Sequence, residues 1–448
     1  MLWYNKLKVP IQYQIDGEGS NEIAASIERA IREGRLRPGA RLPTVRALAK
    51  DLHRSLGTVA AAYRTLQSRG VILSSGRRGT VVRSAPPVWR SVATSELPAG
   101  IDNLADGNPD PALLPKHAPA FKKLPREPIL YGAPAQNEQL LEMAAKSFKA
   151  DGVGWSAVTV VGGALDGIER ALAANLRAGD RVAMEDPIYP AHLDLIGALG
   201  LVPEPVAIDE RGMLPERLQR AIRRGARAVL VTPRAQNPSG AALDVRRQQQ
   251  LRSVIGAAPD LFVVEDDHAW LVAGVPYRTL SDGRERWFVV RSFSKPFGPD
   301  LRIGIAAGDP MTIARVRGRQ QLGAGWVSHL LQSLALALWT DGSVVRTISK
   351  ASAAYSARRE ALIEALAGEG IDVRSLSGLN CWIPVDDEVA VHTALRTAGF
   401  AVAPGARFRI ESGPAVRVTT SRLVEREAVR FARAFAATRR PGKATRTT

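Results

Sequence analysis

The chain has 448 residues, enough for two or three hydrophobic cores. Its hydrophobic fraction of 45% and charged fraction of 23% are ordinary for a folded protein, and no apolar run of about 18 residues predicts a membrane span. The first residues lack the apolar core of a secretory signal. The single cysteine, Cys381, excludes an internal disulfide and most cysteine-based metal sites. We therefore expect a cytoplasmic protein without a bound metal.

Positive charge is concentrated near the amino terminus. The formal net charge is +17, and residues 1–85 hold 15 lysines and arginines against 6 aspartates and glutamates. More than half of the excess thus lies in less than a fifth of the chain. A clustered excess of this kind is typical of a surface that binds the phosphates of a nucleic acid.

Three short helices are predicted in this basic region. The first begins at an Asn21 cap and ends before Gly34, the second runs from Thr44 to Leu52, and the third is capped by Ser55 and ends at Gly70. Apolar residues recur at helical spacing in all three: Ile23, Ile27, Ala30 and Ile31, then Val45, Leu48, Ala49 and Leu52, then Val59, Ala62, Tyr63 and Leu66. The tight turn between the second and third helices predicts a helix-turn-helix.

A short hairpin follows the third helix. Residues 71–73 (VIL) and 80–82 (TVV) favour strands and flank a glycine-containing turn. Arg77 and Arg78 lie at the tip of this turn, next to Gly79. A hairpin with basic residues at its tip, placed directly after a helix-turn-helix, is a wing.

The order and spacing of these motifs resemble the GntR family of bacterial regulators. The matching segments are residues 34–39 (GRLRPG), 42–49 (LPTVRALA), 58–63 (TVAAAY) and 78–80 (RGT). The resemblance implies DNA contacts from Arg46, Ser55, Thr58 and Gly79, with Arg77 and Arg78 of the wing as further basic candidates. Hydroxyls and backbone amides bind phosphates, whereas an arginine can read guanine. Leu56-Gly57 replaces an arginine that the family often has after the serine, so the resemblance defines no operator.

The rest of the chain predicts a linker, a large α/β domain and a basic tail. Residues 84–101 hold three prolines and few periodic apolar positions, which is typical of a linker. Residues 439–448 form the tail, and the first domain is placed at 1–83. From 102 to 438, apolar runs alternate with amphipathic stretches, which predicts parallel βα units. The predicted strands are Val158–Val161, Arg181–Met184, Ala228–Val231, Phe262–Val264 and Phe288–Val290.

One lysine in the large domain stands in a motif suited to binding an anion. Lys295 follows Ser292 and Ser294 after a predicted strand, and Arg302 lies seven residues further on. A lysine in such a tetrapeptide is more often a surface residue than a reactive one. The neighbouring hydroxyls and the arginine favour a ligand-binding role for Lys295, because a phosphate favours charge-assisted donors of this kind.

Four other segments end predicted strands with residues that suit the same ligand. Gly163-Ala164-Leu165 opens a helix, whose amide groups and dipole favour a phosphate. Tyr189 offers an aromatic ring for stacking, and Asn237 offers an amide to a phenolic oxygen. Asp266 offers a carboxylate that can keep a pyridine nitrogen protonated.

The spacing of 29 residues from Asn237 to Asp266 and again to Lys295, followed by Arg302, resembles the fold-type I aminotransferases. The resemblance covers roughly residues 102–438. It implies a large, mixed but mostly parallel sheet, a smaller C-terminal α+β subdomain and pyridoxal 5′-phosphate as cofactor. It also implies roles for single residues: Lys295 forms the internal aldimine, Asp266 pairs with the ring nitrogen, Asn237 binds the 3′-oxygen, Tyr189 stacks on the ring, and Arg302, Ser292, Ser294 and residues 163–165 bind the phosphate.

The same resemblance implies a site shared between two subunits. Arg417 matches an arginine that clamps an amino acid carboxylate, and Tyr131 matches a tyrosine that reaches the phosphate of the partner subunit. Two positions depart from the pattern, since His268 stands where a tyrosine is usual and Gln136 where a glycine is common. His268 either donates to the 3′-oxygen, protonates near neutral pH, or is an ordinary core histidine.

A GntR-type winged helix followed by an aminotransferase-like domain resembles the MocR subfamily of transcription regulators. The resemblance implies a homodimer that binds operator DNA and senses an effector through aldimine chemistry at Lys295. Two alternatives remain open. One is a true aminotransferase with an autoregulatory DNA-binding domain, and the other is a sensor of pyridoxal phosphate alone that controls vitamin B6 synthesis. The effector, the target genes and the sign of regulation are not defined by the sequence.

Overall fold

A computed structural model describes residues 15–37, 39–68, 71–74, 79–82, 97–98, 100–154 and 157–439. The chain forms two compact units, of which the smaller is built mainly on the first helices and the hairpin. The wing tip with Arg77 and Arg78, most of the predicted linker and the tail from residue 440 onward lie outside the described residues. No helix in the described ranges is long and apolar enough to cross a membrane.

The smaller unit contains a helix-turn-helix and a hairpin. Its helices are α1 (Ser20–Arg32), α2 (Val45–Asp51) and α3 (Leu56–Ser68), and its strands are β1 (Ile72–Ser74) and β2 (Thr80–Val82). The strands pair antiparallel, and a bridge from Arg41 to Val81 widens this small sheet. Buried Ile23, Ile27, Val59 and Leu66 form the core between the helices.

Of the two predicted caps, Ser55 agrees with the structure, and Thr44, predicted as the first residue of the second helix, is instead its cap. Thr44 Oγ1 accepts the Ala47 amide at 3.2 Å, and Ser55 Oγ accepts the Thr58 amide at 3.0 Å. The predicted Asn21 cap is wrong, because α1 already begins at Ser20 and Asn21 lies in its first turn. The N-cap is Gly19, which is extended and makes no side-chain cap, and its carbonyl accepts the Ile23 amide as the first bond of the helix.

The larger unit is built around an eight-stranded sheet. The strands are β4 (Ala157–Val161), β5 (Arg181–Asp186), β6 (Val202–Asp209), β7 (Gly212–Met213), β8 (Ala226–Val231), β9 (Phe262–Asp267), β10 (Trp287–Ser292) and β11 (Gly304–Gly308). Their order across the sheet is β4, β11, β10, β9, β8, β5, β6, β7. Helices surround it: α4 (Ala118–Phe121), α5 (Glu138–Ala150), α6 (Ala164–Asn175), α7 (Pro190–Ala198), α8 (Pro215–Arg223), α9 (Val245–Gly256), α10 (Ser294–Phe297), α11 (Pro310–Leu322), α12 (His329–Trp339) and α13 (Gly342–Gly368).

The five predicted strands are confirmed, each one to three residues longer than predicted. β5, β8, β9 and β10 run parallel to one another. β11 was not predicted, and it lies antiparallel between β10 and β4. Because β11 is antiparallel to both of its neighbours, β4 and β10 run in the same direction. The carboxyl ends of these five strands therefore meet at one edge of the sheet.

A second sheet forms the smaller subdomain of the same unit. It consists of β12 (Asn380–Pro384), β14 (Ala415–Thr419), β13 (Phe400–Pro404) and β3 (Asp102–Leu104), in that order. Helices α13, α14 (Glu388–Thr397) and α15 (Glu425–Arg439) pack with it around buried Phe400, Phe431 and Phe435. β3 pairs parallel with β13 and is the first strand of the larger unit along the chain. The subdomain is thus completed by residues from the start of the unit.

Candidate cofactor and effector site

The predicted site residues lie in the loops at the carboxyl edge of the large sheet. Gly163 follows β4, Tyr189 follows β5, Asn237 follows β8 and Lys295 follows β10, whereas Asp266 lies near the end of β9. Loops at the carboxyl ends of parallel strands converge, which makes this edge the usual ligand site of an α/β sheet. The fold therefore brings together residues that are up to 132 positions apart in the sequence.

Lys295 is a half-buried lysine whose amine lies beside a backbone carbonyl. It stands on the short helix α10, and its Nζ donates to the Gly107 carbonyl oxygen at 2.5 Å. Burial, helped by the positive charge of Arg417, lowers the pKa of Lys295 to about 8. A lysine with such a pKa is neutral in a substantial fraction of molecules near physiological pH, so it can act as a nucleophile.

Asp266 and His192 form a buried pair behind the ring position. His192 Nε2 lies 3.2 Å from Asp266 Oδ2, close enough for electrostatic contact, although the angle does not satisfy a hydrogen bond. Asp266 Oδ1 has no hydrogen-bond partner among the described residues. Tyr189 meets the His192 ring edge-on, with centroids 5.6 Å apart. Sequence reasoning missed His192, which its position three residues after Tyr189 on the same helical turn could have indicated.

His268 is placed as a satisfied histidine. Its Nε2 lies 2.8 Å from the Ala235 carbonyl oxygen and must donate the proton of that bond, because a carbonyl only accepts. Burial lowers the pKa of His268, so protonation near neutral pH is disfavoured. Of the predicted roles, the core histidine fits these contacts best. In the neutral imidazole the single N–H donates to the Ala235 carbonyl, so donation to a 3′-oxygen would require this bond to break or a second ring proton.

The loop after β4 and the residues around Lys295 form a cradle for an anion. Gly163 has φ +110°, and a Cβ at this position would lie 3.4 Å from Arg302 Nη2. Ala164 and Leu165 begin α6, whose amino end faces the same loop. Ser292 Oγ accepts the Ser294 amide at 3.2 Å, and Ser294 Oγ has no partner within the described ranges. These groups supply a guanidinium, a hydroxyl and a helix amino terminus.

Arg417 lies opposite the cradle, on β14 of the smaller subdomain. It is buried, with its guanidinium 4.9 Å from the Phe408 ring centroid. Nη1 donates to Asn237 Oδ1 at 3.3 Å and Nη2 donates to the Ala105 carbonyl. Burial lowers the pKa of Arg417 to about 10, which leaves the side chain charged at neutral pH. A buried cation of this kind suits a carboxylate ligand.

Pyridoxal phosphate fits this set of groups. The site offers a nucleophilic lysine, a carboxylate oxygen without a partner in the described part of the chain, and a glycine-lined cradle with a guanidinium. These match the aldehyde, the ring nitrogen and the phosphate of the cofactor. Sequence reasoning also missed Glu185, whose carboxylate accepts a hydrogen bond from Gln236 Nε2 at 3.3 Å. Burial raises the pKa of Glu185 to about 8.

Other predicted residues lie outside this constellation. Tyr131 is 93% exposed, and its ring meets Trp326 edge-on at 5.7 Å. In the smaller unit, Arg46 is exposed on α2, and Ser55 Oγ lies 2.8 Å from Thr58 Oγ1 at the start of α3. Gly79 has φ +84° at the base of the wing. These positions are compatible with contacts to partners outside the chain.

Comparisons with known proteins agree with both halves of this structure. The model of "Bacterial regulatory proteins, gntR family" matches residues 20–82, and that of "Aminotransferase class I and II" matches residues 102–435. The kynurenine aminotransferase of Pyrococcus horikoshii superposes with a TM-score of 0.69 at 24% identity, covering 76% of this chain and 91% of that one. The fold is therefore that of a fold-type I aminotransferase joined to a GntR-type helix-turn-helix.

Two relatives combine both parts. The vitamin B6 salvage pathway transcriptional repressor PtsJ of Salmonella typhimurium is 38% identical over 418 residues, covering 92% of this chain and 96% of PtsJ. The pyridoxine biosynthesis regulator PdxR of Corynebacterium glutamicum is 27% identical over 367 residues, covering 77% and 78%. The chain belongs to the GntR-type transcription regulators with an aminotransferase class I and II domain, the MocR architecture. It is a DNA-binding regulator, and pyridoxal phosphate is the cofactor of its large domain.

Proposed function

We propose that the chain is a sensor of pyridoxal phosphate that regulates genes for vitamin B6 supply. The observation that carries this proposal is the half-buried Lys295, whose pKa is lowered to about 8, in one converging set of loops with Asp266 and Arg302. The names of PtsJ and PdxR support the choice of vitamin B6 genes as targets. Covalent capture of the cofactor at Lys295 is then the sensing event.

Each residue has a defined task in this proposal. When bound, pyridoxal phosphate supplies an aldehyde carbon that condenses reversibly with amines and a ring that withdraws electrons. Lys295 presents a neutral amine, and Asp266 holds a proton at the ring nitrogen position. Asn237 donates its amide to the 3′-oxygen position, and Tyr189 covers one face of the ring. Arg302, Ser292, Ser294 and the loop of residues 163–165 hold the phosphate position.

The winged helix is the proposed DNA-binding surface. Arg46, Ser55 and Thr58 lie at the exposed ends of α2 and α3, where hydroxyls bind phosphates and an arginine reaches base edges. Residues 1–83 would act as the DNA-binding domain and residues 102–438 as the sensing domain. A regulator of chromosomal operators works in the cytoplasm, and this is the location that we propose.

A homodimer is the proposed assembly. Leu130 and Tyr131 are 73% and 93% exposed, and exposed neighbouring apolar side chains are typical of a surface that a partner covers. Tyr131 would reach the phosphate position of the partner subunit. Two winged helices in one dimer would then bind paired operator sites.

Transamination is the second candidate function, because Asp266, Lys295 and Arg417 are all present at positions that match those of the aminotransferases. A panel of amino acids, mixed with the cofactor-loaded protein in single-turnover absorbance experiments, distinguishes the two. We expect slow or no conversion of the cofactor to its amine form. Conversion at rates typical of enzymes, about 1 per second or faster, would favour the aminotransferase.

The sensor proposal is tested by DNA binding with and without cofactor. A labelled fragment from upstream of the chain's own gene is titrated with protein in the absence of pyridoxal phosphate, with it, and with it plus amino acids. We expect the cofactor alone to change the dissociation constant by about 5-fold or more. Equal dissociation constants with and without cofactor would contradict the proposal. A change that needs an added amino acid would identify an amino acid effector instead.

A further inference from the structure

Residues 105–107 form a short loop that reaches into the site from the start of the larger unit. We call this segment, Ala105-Asp106-Gly107, the carbonyl loop. Asn103 Oδ1 accepts the Ala105 amide at 3.0 Å, and Asp106 Oδ1 accepts the Asn108 amide at 2.9 Å. These two bonds turn the backbone so that the carbonyls of Ala105 and Gly107 point toward site residues.

The first of these carbonyls contacts Arg417. The Ala105 carbonyl oxygen accepts a hydrogen bond from Arg417 Nη2, and Asn237 Oδ1 accepts one from Nη1. A carboxylate bound to Arg417 in bidentate fashion needs both of these donors, or one of them together with Nε. The Ala105 carbonyl takes one hydrogen of Nη2, whereas Nε has no partner among the described residues, so this carbonyl competes with a carboxylate for one donor of the guanidinium.

The second carbonyl contacts Lys295. The Gly107 carbonyl oxygen accepts a hydrogen bond from Lys295 Nζ at 2.5 Å. An amine nitrogen bonded to the aldehyde carbon of the cofactor no longer has the hydrogens of a free ammonium group, and it is drawn toward the ring. Donation to Gly107 and attachment of the cofactor therefore compete for the same nitrogen.

Both ends of the carbonyl loop are anchored. Before it, β3 pairs with Phe400–Val402 of β13, in the sheet that carries Arg417 on β14. After it, the Asn108 carbonyl accepts the Ser421 hydroxyl at 2.6 Å, and Asp110 Oδ2 accepts Arg358 Nη1 at 2.9 Å. Because β3 ends at Leu104, directly before the loop, a change in the loop's conformation strains the pairing of β3 with β13 without unfolding the unit.

The carbonyl loop follows β3, the strand next to the segment that leads to the winged helix. β3 begins at Asp102, directly after the segment that joins it to the winged helix. It is also the edge strand of the small sheet, so a shift of the carbonyl loop acts on the strand from which that segment departs. A ligand that displaces the loop therefore acts on the end of the connection to the DNA-binding module.

We propose that the carbonyl loop is an internal competitor of the ligand, and that its displacement couples the cofactor site to the linker. The proposal rests on the proposed function and adds the element that transmits the signal. In one state the Gly107 carbonyl of the loop holds the Lys295 amine, and in the other the cofactor holds it. A ligand with a carboxylate would in addition compete with Ala105 for Arg417. Ligand affinity and DNA affinity are then linked, because both depend on the same loop equilibrium.

Two variants weaken the loop without changing Lys295 or Arg417. Gly107 has φ +70°, and a Cβ there would lie 3.3 Å from both terminal nitrogens of Arg417, so Gly107→Ala strains and crowds the loop. Asn103→Ala removes the acceptor of the Ala105 amide and adds no atom. Gly152→Ala is the matched control, because Gly152 has φ +71° but no atom within 4 Å of the added Cβ.

The full chain is titrated with pyridoxal phosphate and with the upstream DNA fragment. We expect Gly107→Ala and Asn103→Ala to bind the cofactor about 5-fold more tightly than the wild type. Without cofactor, their DNA affinity should approach that of the cofactor-saturated wild type. Gly152→Ala should match the wild type in both titrations. If the DNA affinity of the wild type responds to the cofactor but the loop variants behave like Gly152→Ala, the inference is wrong. The sensor proposal would then still stand.

Hydrogen–deuterium exchange of the wild type gives a second test that needs no variant. We expect the amides of residues 105–108 to exchange faster when pyridoxal phosphate is bound, because the carbonyl loop has lost its contacts. Unchanged or slower exchange in these residues would overturn the inference. A wild type whose DNA affinity does not respond to the cofactor would instead refute the sensor proposal, and the inference with it.

Discussion

The His192 imidazole lies 3.2 Å from the Asp266 carboxylate, and both side chains are buried. Asp266 is the proposed partner of the cofactor's ring nitrogen, so His192 is a positioning residue that acts through it. We predict that His192→Asn weakens pyridoxal phosphate binding about 5-fold, somewhat less than the loss of a well-aligned hydrogen bond to a charged group. A fluorescence titration measures the affinity, and the pH dependence of the bound cofactor's absorption should shift as well. His392→Asn on α14 is the control, and an equal effect in both variants would indicate general destabilisation.

Lys295 is predicted to connect the cofactor to the DNA response. Lys295→Ala should lose the absorption band of the attached cofactor and the change in operator affinity, while DNA binding without cofactor is retained. The reason is that the winged helix has its own core, formed by residues such as Ile27 and Leu66. Absorbance and anisotropy titrations measure both properties, with the exposed Lys350→Ala as control. Complete loss of DNA binding in a folded variant would argue against separable modules.

The pH dependence of cofactor attachment follows from the Lys295 pKa. Burial lowers this pKa to about 8, and only the neutral amine attacks an aldehyde. The attachment rate should therefore rise about tenfold per pH unit well below pH 8 and level off above it. Arg417 is the second cause of the lowered pKa, so Arg417→Gln should move the plateau to higher pH. Stopped-flow absorbance measures both profiles, and a wild-type rate that still rises above pH 10 would contradict the assigned environment.

Arg46 is predicted to contact the operator. Arg46→Ala should weaken operator binding by about 5- to 100-fold if the side chain reads a base, with unchanged cofactor spectra. Arg29→Ala on α1 removes another exposed arginine of the same unit and controls for net charge. Titrations at several salt concentrations separate a base contact from a phosphate contact. A variant that matches the wild type would show that the recognition surface lies elsewhere.

The predicted shared site can be tested by subunit complementation. If Tyr131 serves the partner subunit, a mixed dimer of a Lys295→Ala subunit and a Tyr131→Ala subunit has one site that lacks both residues and one that has both. If Tyr131 serves its own subunit, each site lacks one of the two residues. If Tyr131 serves the partner subunit, the mixed dimer should bind one equivalent of cofactor with the affinity of the wild type. Equilibrium dialysis measures this, with each homodimeric variant as reference. If the remaining site showed the affinity of the Tyr131→Ala homodimer, Tyr131 would serve its own subunit.

Sequence patterns predicted the parts of the fold that depend on local order. Apolar runs predicted five strands, and Ser55 and Thr44 predicted helix starts, because these signals lie within a few residues of the elements they define. The motifs around Gly163 and Lys295 were predictable because each lies two or three residues after a strand, whereas Asn237 lies six residues after β8 and was predicted from its spacing to Asp266. β11 was missed, since Gly304 and Gly308 at its ends weaken the signal of a strand.

Contacts between distant segments could not be predicted in the same way. The bond from Lys295 to Gly107 joins residues 188 positions apart, and that from Arg417 to Ala105 joins residues 312 positions apart. β3 is a three-residue strand whose pairing with β13 depends on the closure of the whole subdomain. The assignment of the His268 proton likewise depends on where the Ala235 carbonyl points.

The most direct test of the central claim is to locate the cofactor on the chain. Protein loaded with pyridoxal phosphate is reduced with borohydride, digested with trypsin and analysed by mass spectrometry. We predict one phosphopyridoxyl group on the peptide Ser292–Arg302, attached at Lys295. An unlabelled peptide in a cofactor-saturated sample, or label spread over other lysines, would contradict the account.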